Sequence, residues 1–321
     1  MTEKTIGKNE SGQRFDKYLA KLMPKAPKSF FYKMLRKKNI VLNGRKAAGN
    51  ESLKEGDVVR LYLSDETIAS FCAAPSERSY KGPLIPVVYE DHDILVLNKP
   101  SGFLSQGDRS GKASCADFVR HYLLETGALS REDMAVFHPS PVNRLDRNTS
   151  GLVLCGKSLK GEQVLSELIR ERQLEKYYLT VVSGEMKEEG LFKAYAKKDP
   201  KTNTLQVSDT PKEGWSEIMT GIEVLDRKAD HSLLRIRLVT GKSHQIRAHL
   251  AHLGHPVAGD RKYGYRGALQ KTLSSQLLHA AELHFPERVE ALPELSGLVL
   301  KAAPEKAMTD RLEKLGFHLK T

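Results

Sequence analysis

Cysteine is scarce in this chain of 321 residues: Cys72, Cys115 and Cys155 are the only three, and no two form a Cys-x-x-Cys pair. That spacing supplies neither a disulfide framework nor a zinc ribbon, and it reads as three small buried apolar side chains. No uncharged run approaches the roughly 18 residues of a membrane helix, so no membrane span is expected. The first ten residues carry Glu3 and Glu10 and no apolar block, which matches neither a secretory nor an Arg-rich transit signal and leads us to expect a cytoplasmic protein. A Walker lysine loop, a Gly-x-Gly-x-x-Gly turn after a strand and a Gly-x-Ser-x-Gly elbow are all missing. Nucleotide hydrolysis, hydride transfer and serine hydrolysis therefore lack support. The rest of the composition is ordinary, at 40% hydrophobic and 28% charged, in a length that fits two domains.

The formal net charge of +11 is unevenly placed. Gln13 to Arg60 hold thirteen Lys/Arg against four Asp/Glu, while the remaining 273 residues hold 38 against 36. Within the basic segment, Phe15, Tyr18, Leu19 and Leu22 follow the spacing of an amphipathic helix that Pro24 closes. Phe30, Phe31, Met34 and Leu35 supply the stripe of a second helix, leaving Lys33, Arg36 and Lys37 to project elsewhere. Ile40-Val41-Leu42 then reads as a strand turning at Asn43-Gly44, with Arg45 and Lys46 just past the turn. A solvated basic surface is one reading. The other is a polyanion-binding module, in which each phosphate contact releases counterions. The order of these elements resembles the small RNA-binding domain named after a small-subunit ribosomal protein, the S-four-type domain. We expect this domain over 12–64, with RNA contacts from Lys33, Arg36, Lys37, Arg45 and Lys46, then a linker over 65–82 where periodicity fades, then a larger region over 83–321.

Three segments of the larger region carry chemistry-bearing residues. Leu84 to Tyr89 and Ile94 to Leu97 form a hairpin-like pair running into Asn98-Lys99-Pro100-Ser101-Gly102, which by itself is only a turn-rich loop. The second segment is Asn143-Arg144-Leu145-Asp146-Arg147-Asn148-Thr149-Ser150-Gly151, followed by the short apolar run Leu152 to Cys155. Guanidinium charge on both sides of Asp146 favours the ionised carboxylate, which can serve as nucleophile or base. An Asx turn or a surface ion-pair knot fits the same spacing. In the third segment, Leu234 to Leu238 alternate as a strand with Arg235 and Arg237 on one face. A helix then starts near Ser243, with Ile246, Leu250 and Leu253 as its core stripe and Gly254 and Pro256 as its stop. His244, Arg247 and Ala251 share a face away from that stripe. The histidines 244, 249, 252 and 255 have neither His-Glu-x-x-His nor facial-triad spacing, so no metal site is expected.

Together these segments resemble the RluA family of RNA pseudouridine synthases. The blocks stand here as LNKPSG (97–102), NRLDRNTSGLVL (143–154), EKYYLTVVSG (175–184), TGKSHQIRAHLAHLGHPVAGDRKYG (240–264) and LLHAAELHF (277–285). The resemblance implies an α+β fold, a mixed and largely antiparallel central sheet flanked by helices, behind the small α+β S-four-type domain. It implies isomerisation of uridine to pseudouridine by base flipping, with no cofactor and no metal. Asp146 takes the place of the catalytic aspartate, and Arg247 that of the basic residue paired with it. Arg144 matches the arginine that enters the vacated base stack, with Arg147 as a further RNA contact. The active-site tyrosine falls at Tyr177 or Tyr178, and we place it at Tyr178. One departure is Asn143, where family members commonly carry histidine. Large-subunit (23S) ribosomal RNA or a pre-ribosomal particle is the expected partner of a monomeric enzyme. The alternatives are the same chemistry on tRNA, a non-catalytic RNA-binding ribosome-assembly factor, and a metal-dependent nuclease or deaminase built on the histidine-rich helix.

Overall fold

The structure, a computed structural model, describes residues 1–7, 10–72, 80–108, 110–267, 269, 272–273 and 275–319. The N-terminal unit runs β1 (Thr2–Thr5), α1 (Phe15–Leu22), α2 (Lys28–Arg36), β2 (Ile40–Leu42), β3 (Arg45–Lys46), β4 (Val58–Leu61) and α3 (Asp65–Phe71). Its strands pair antiparallel in the order β1-β4-β2-β3. Asn43 and Gly44 both take positive φ, 50° and 72°, so the two-residue turn between β2 and β3 has the twist a tight hairpin needs. Phe15, Leu19, Phe31, Leu35, Ile40 and Val59 form the core, and the helical spacing of the first four is what brings them there.

Helix α3 lies in the stretch expected to be a linker. Ser64 caps it by accepting the Thr67 amide, and Ile68, Phe71 and Cys72 pack onto the N-terminal core. Residues 65–72 therefore pack with the N-terminal unit, as does β1, upstream of the expected start at residue 12. Residues 73–79 of the expected linker lie outside the described residues.

The larger region contains β5 (Val87–Glu90), β6 (Ile94–Lys99), α4 (Cys115–Glu125), α5 (Arg131–Val136), β7 (Ser150–Gly156) and α6 (Leu159–Arg170). It continues with β8 (Glu175–Ser183), β9 (Gly190–Asp199), β10 (Thr204–Ser208), β11 (Ser216–Arg227), β12 (His231–Leu238) and α7 (Gln245–His252). β13 (Leu278–His284), β14 (Val299–Lys301) and α8 (Lys306–Lys314) complete it. The strands form one sheet in the order β10-β9-β11-β12-β8-β13-β7-β6-β5, with β14 paired to β13. The β7–β13 ladder is parallel and the other ladders are antiparallel. This is the expected α+β architecture. Among the described residues no helix is long and apolar enough to cross a membrane.

Both faces of the sheet centre are covered, which is why β6 and β7 read as unbroken apolar runs. Leu95, Leu97, Val153 and Cys155 face one core with Tyr178, Ile236, Ile246 and Leu250, while Ile94, Val96, Leu152 and Leu154 face the other with Leu165 and Leu168. The same alternation sends Tyr178 to the α7 side and Tyr177 to the opposite face, where Arg235 lies 3.9 Å from its ring centroid.

The parallel junction closes tightly at Gly151, which has φ 111° and pairs with Ala280. A Cβ there would come within 2.2 Å of the Ala280 carbonyl oxygen. Gly151→Ala is accordingly expected to cost on the order of 3 kcal/mol and several degrees of thermal midpoint. Circular dichroism melting checks this, with Gly107→Ala, where the nearest atom is 4.0 Å away, as the silent control.

Candidate active site

The loop ahead of β7 carries Asp146, and a second loop moulds it. Buried Ser105 brackets Leu145: its hydroxyl donates to the Leu145 carbonyl at 3.0 Å and accepts the Leu145 amide at 3.0 Å. Ser101 donates to the Asn148 carbonyl at 2.9 Å, and Arg147 Nε donates back to the Gly102 carbonyl at 3.0 Å. Lys99 is fully buried, and its ammonium donates to the carbonyls of Pro100, Phe103 and Arg147 at 3.0, 2.8 and 3.0 Å. Burial pushes its pKa down to about 8, against the pull of Cys115, Glu305 and Asp146. The Lys-Pro-Ser-Gly segment is thus the template on which the aspartate loop is cast. Asn143 ties the loop to β7: its amide donates to the Leu152 carbonyl at 3.3 Å and its carbonyl accepts the Leu154 amide at 2.8 Å.

Arg247 reaches this loop from the first turn of α7. Its Nη1 donates to Asp146 Oδ2 at 2.8 Å, while Nε and Nη2 grip Asp260 at 2.5 and 2.9 Å. The guanidinium is 8% exposed and Asp260 1%, against 23% for Asp146. A buried clamp therefore presents a partly open carboxylate. The two carboxylates raise the Arg247 pKa further against the effect of its burial. Asp260 also accepts the Lys262 and Tyr263 amides, which fixes it at the start of a short 3-10 turn. Asp146 Oδ1 makes no hydrogen bond among the described residues; the nearest ion-pairing group is His244 Nε2, at 3.8 Å.

Tyr178, buried in the core beside α7, is near enough to Asp146 to feel its charge. Burial, and secondarily the charge of Asp146, raise its pKa, so it stays a phenol. Tyr177 instead donates to Glu175 on the far face of the sheet. The structure thus brings Asp146, Arg247 and Tyr178 together. Arg144 and Arg147 are exposed on the same loop. Lys33, Arg36, Lys37, Arg45 and Lys46 lie apart from this cluster, exposed on α2, its C-terminus and β3 of the N-terminal unit.

The histidines have separate partners: His244 meets Tyr263, His249 Thr220, His252 Asp209, and His255 the Ser183 carbonyl. Ser150 and His279 look like a nucleophile and base at 2.9 Å, but both are buried, and His279 Nε2 is spent on the Ala302 carbonyl. The pair braces the β7–β13 junction.

Sequence reasoning did not single out Lys99, Asp260 or Tyr263. A lone lysine ending an apolar strand marked the first. The other two stood in the quoted Gly-Asp-Arg-Lys-Tyr-Gly stretch, with nothing local to connect them to a loop more than a hundred residues earlier.

The RNA pseudouridylate synthase family profile matches residues 93–252. Ribosomal large subunit pseudouridine synthase D of Xylella fastidiosa is 31% identical over 304 residues, covering 90% of this chain and 86% of that protein. Synthase C of Vibrio vulnificus is 31% identical over 287 residues, covering 87% of each. The chain belongs to the RluA-type family of RNA pseudouridine synthases. Among solved structures, human RNA pseudouridylate synthase domain containing 4 shares the fold, with a TM-score of 0.58 at 20% identity over 73% of this chain and 94% of that one. As a pseudouridine synthase the chain is an enzyme that isomerises uridine in RNA.

On the Arg247 helix of the synthase, buried His249 pairs through Nδ1 with the Thr220 hydroxyl at 3.0 Å, which also accepts from Gln245. Burial lowers the His249 pKa to about 4 from the usual 6.5. A depressed histidine contributes stability that is present above pH 6.5 and lost as pH falls towards 4, where the unfolded chain alone takes up the proton. The loss is on the order of 3 kcal/mol at about 1.4 kcal/mol per pKa unit. Urea unfolding across this window should show wild type losing more stability than His249→Gln by roughly that amount.

Proposed function

We propose that this synthase converts uridines of large-subunit ribosomal RNA to pseudouridine, with Asp146 as the catalytic carboxylate, Arg247 holding it and Tyr178 against the base. The observation that carries the residue roles is the division of labour at Asp146: one oxygen is held by a buried guanidinium, and the other accepts no hydrogen bond among the described residues. The target follows from the relatives at 31% identity, which are named for the large ribosomal subunit.

The reaction breaks the bond between ribose carbon 1′ and uracil nitrogen 1, turns the ring, and joins carbon 1′ to ring carbon 5. Atoms are conserved, so neither oxidant nor phosphoryl donor enters. The nucleotide must first leave its stack, at a cost of a few kcal/mol. Arg144, exposed at the rim, replaces the lost stacking, a contact worth about 1–3 kcal/mol. The free Oδ1 then acts by attacking carbon 1′, by adding to ring carbon 6, or by taking a sugar proton to form a glycal.

Two basic surfaces support an RNA substrate. The S-four-type reading of the N-terminal unit supplies Lys33, Arg36, Lys37, Arg45 and Lys46 for backbone phosphates. Nearer the site, a cavity of about 210 Å³ is lined by Lys197, Lys198, Lys242 and Ser243. None of these lysines forms an ion pair among the described residues, and Lys242 and Ser243 directly precede His244. On this reading the protein works in the cytoplasm, where ribosomal RNA is made.

Ribosomal RNA carrying tritium at uridine carbon 5 tests the proposal. Wild type should release label from large-subunit RNA and not from tRNA. Asp146→Asn, nearly isosteric, should release none while RNA affinity stays within about twofold. Equal release from wild type and variant, or release from tRNA alone, would overturn the assignment.

A further inference from the structure

His244 is not among the residues assigned above, yet its geometry is the most constrained in the site. It occupies left-handed backbone, φ 61° and ψ 15°, at the N-cap of α7. That conformation costs a non-glycine residue on the order of 1 kcal/mol and persists only where its surroundings enforce it. The enforcement comes from the next residue. Gln245, 2% exposed, accepts the Thr240 hydroxyl and the Lys242 amide, and donates to the Met219 carbonyl and the Thr220 hydroxyl. A side chain used at every polar atom cannot turn, so the chain must enter the helix at Gln245 through the left-handed step at His244, which brings the ring within 3.8 Å of Asp146.

The ring's tautomer is set from behind. Tyr263 accepts the Leu205 amide at 2.8 Å, and its own proton finds an acceptor at His244 Nδ1, 3.0 Å away. With Nδ1 accepting, the hydrogen of the neutral ring sits on Nε2. Burial lowers the His244 pKa, Arg247, Lys262 and Lys198 add to that, and Asp146 opposes it, so the ring is neutral near pH 7. Nε2 is 3.8 Å from Asp146 Oδ1, too far for a hydrogen bond, so the donor and the free carboxylate oxygen border the same space with neither consumed by the other.

We infer that His244 is a further catalytic residue, whose Nε2–H donates a hydrogen bond to the uracil oxygen on ring carbon 2 as the glycosidic bond breaks. The inference rests on the pseudouridine synthase reading. When the bond from carbon 1′ to nitrogen 1 cleaves, its electron pair stays with the ring and spreads onto that oxygen beside nitrogen 1. His244 stabilises the anion without transferring its proton. Nitrogen 1 is protonated and carbon 5 deprotonated only after the new carbon–carbon bond has formed. In acyl transfer, removing one such preorganised donor costs about 10²–10³ in rate.

Two substitutions separate the donor from the fold. In His244→Gln the side-chain amide reaches the position of Nε2; in His244→Asn, whose shorter side chain suits left-handed backbone, it reaches only that of Nδ1. Single-turnover rates on a large-subunit RNA fragment should fall about 100-fold for H244N with RNA affinity within twofold, and H244Q should recover to within about tenfold of wild type. On the same fragment with 2-thiouridine at the target, where sulfur is a poor acceptor, the H244N penalty should shrink below about threefold. Full-rate H244N would overturn the inference, as would equally slow H244N and H244Q with the penalty unchanged on 2-thiouridine. Wild type and Asp146→Asn run alongside distinguish the cases: if wild type turns over and D146N does not, such a result removes His244 alone, whereas an inactive wild type removes the underlying reading.

Discussion

The guanidinium of Arg247 bridges two carboxylates, one buried and one facing solvent, and the site is organised around that bridge. Its inner partner, Asp260, is sealed from water and held by two backbone amides as well as by the arginine. Its outer partner, Asp146, is held by a single contact through one oxygen. The asymmetry has a physical consequence. A buried arginine with one carboxylate satisfied is already neutralised, so it orients the second without sequestering both of its oxygens. Removing either inner member strands a buried charge, a change that costs about 3–5 kcal/mol.

Around that bridge the fold is a set of braces for loops that would otherwise wander. The aspartate loop is held largely from outside, by Lys99, Ser101 and Ser105, some forty residues earlier, through its backbone carbonyls. Such contacts need no particular side chain on the loop itself, which leaves Arg144 exposed on it. The parallel junction at Gly151 sets where the loop enters the sheet, and the neighbouring Ser150–His279 pair stiffens that entry. On the other side, the His-Gln-Ile-Arg stretch divides its work residue by residue. His244 faces the carboxylate, Gln245 locks the backbone, Ile246 enters the core and Arg247 makes the bridge.

Much of this was legible in the chain because it depends on local periodicity. The amphipathic spacing of Phe15 to Leu22 and of Phe30 to Leu35, the Asn43-Gly44 turn, the hairpin around residues 90–93 and the Ile246/Leu250 stripe all describe contacts close in sequence. Helix α3 was missed because seven residues give too few turns for a stripe, although Ser64 followed by Asp65 and Glu66 is a cap signal. The choice between Tyr177 and Tyr178 needed the pairing of β8 with β12, since alternation tells two faces apart without saying which one meets α7. Asp260 and Lys99 were hidden for another reason. Each acts on backbone or charge brought near by chain closure, and a lone polar residue beside a glycine or proline looks the same whether it is buried or solvated. The left-handed turn at His244 is likewise a tertiary product, imposed by Gln245.

The measurement that tests the central claim most directly is the single-turnover rate of Asp260→Asn on large-subunit RNA, with folding checked by circular dichroism and RNA affinity measured in parallel. Asp260 lies too deep to meet the nucleotide, so any effect on chemistry must pass through the groups it holds, Arg247 and the turn that carries Tyr263. The account predicts a loss of about 100-fold or more in rate, of the size expected when a reacting group is misplaced by about 1 Å, with affinity unchanged. A folded Asp260→Asn protein turning over at the wild-type rate would contradict it.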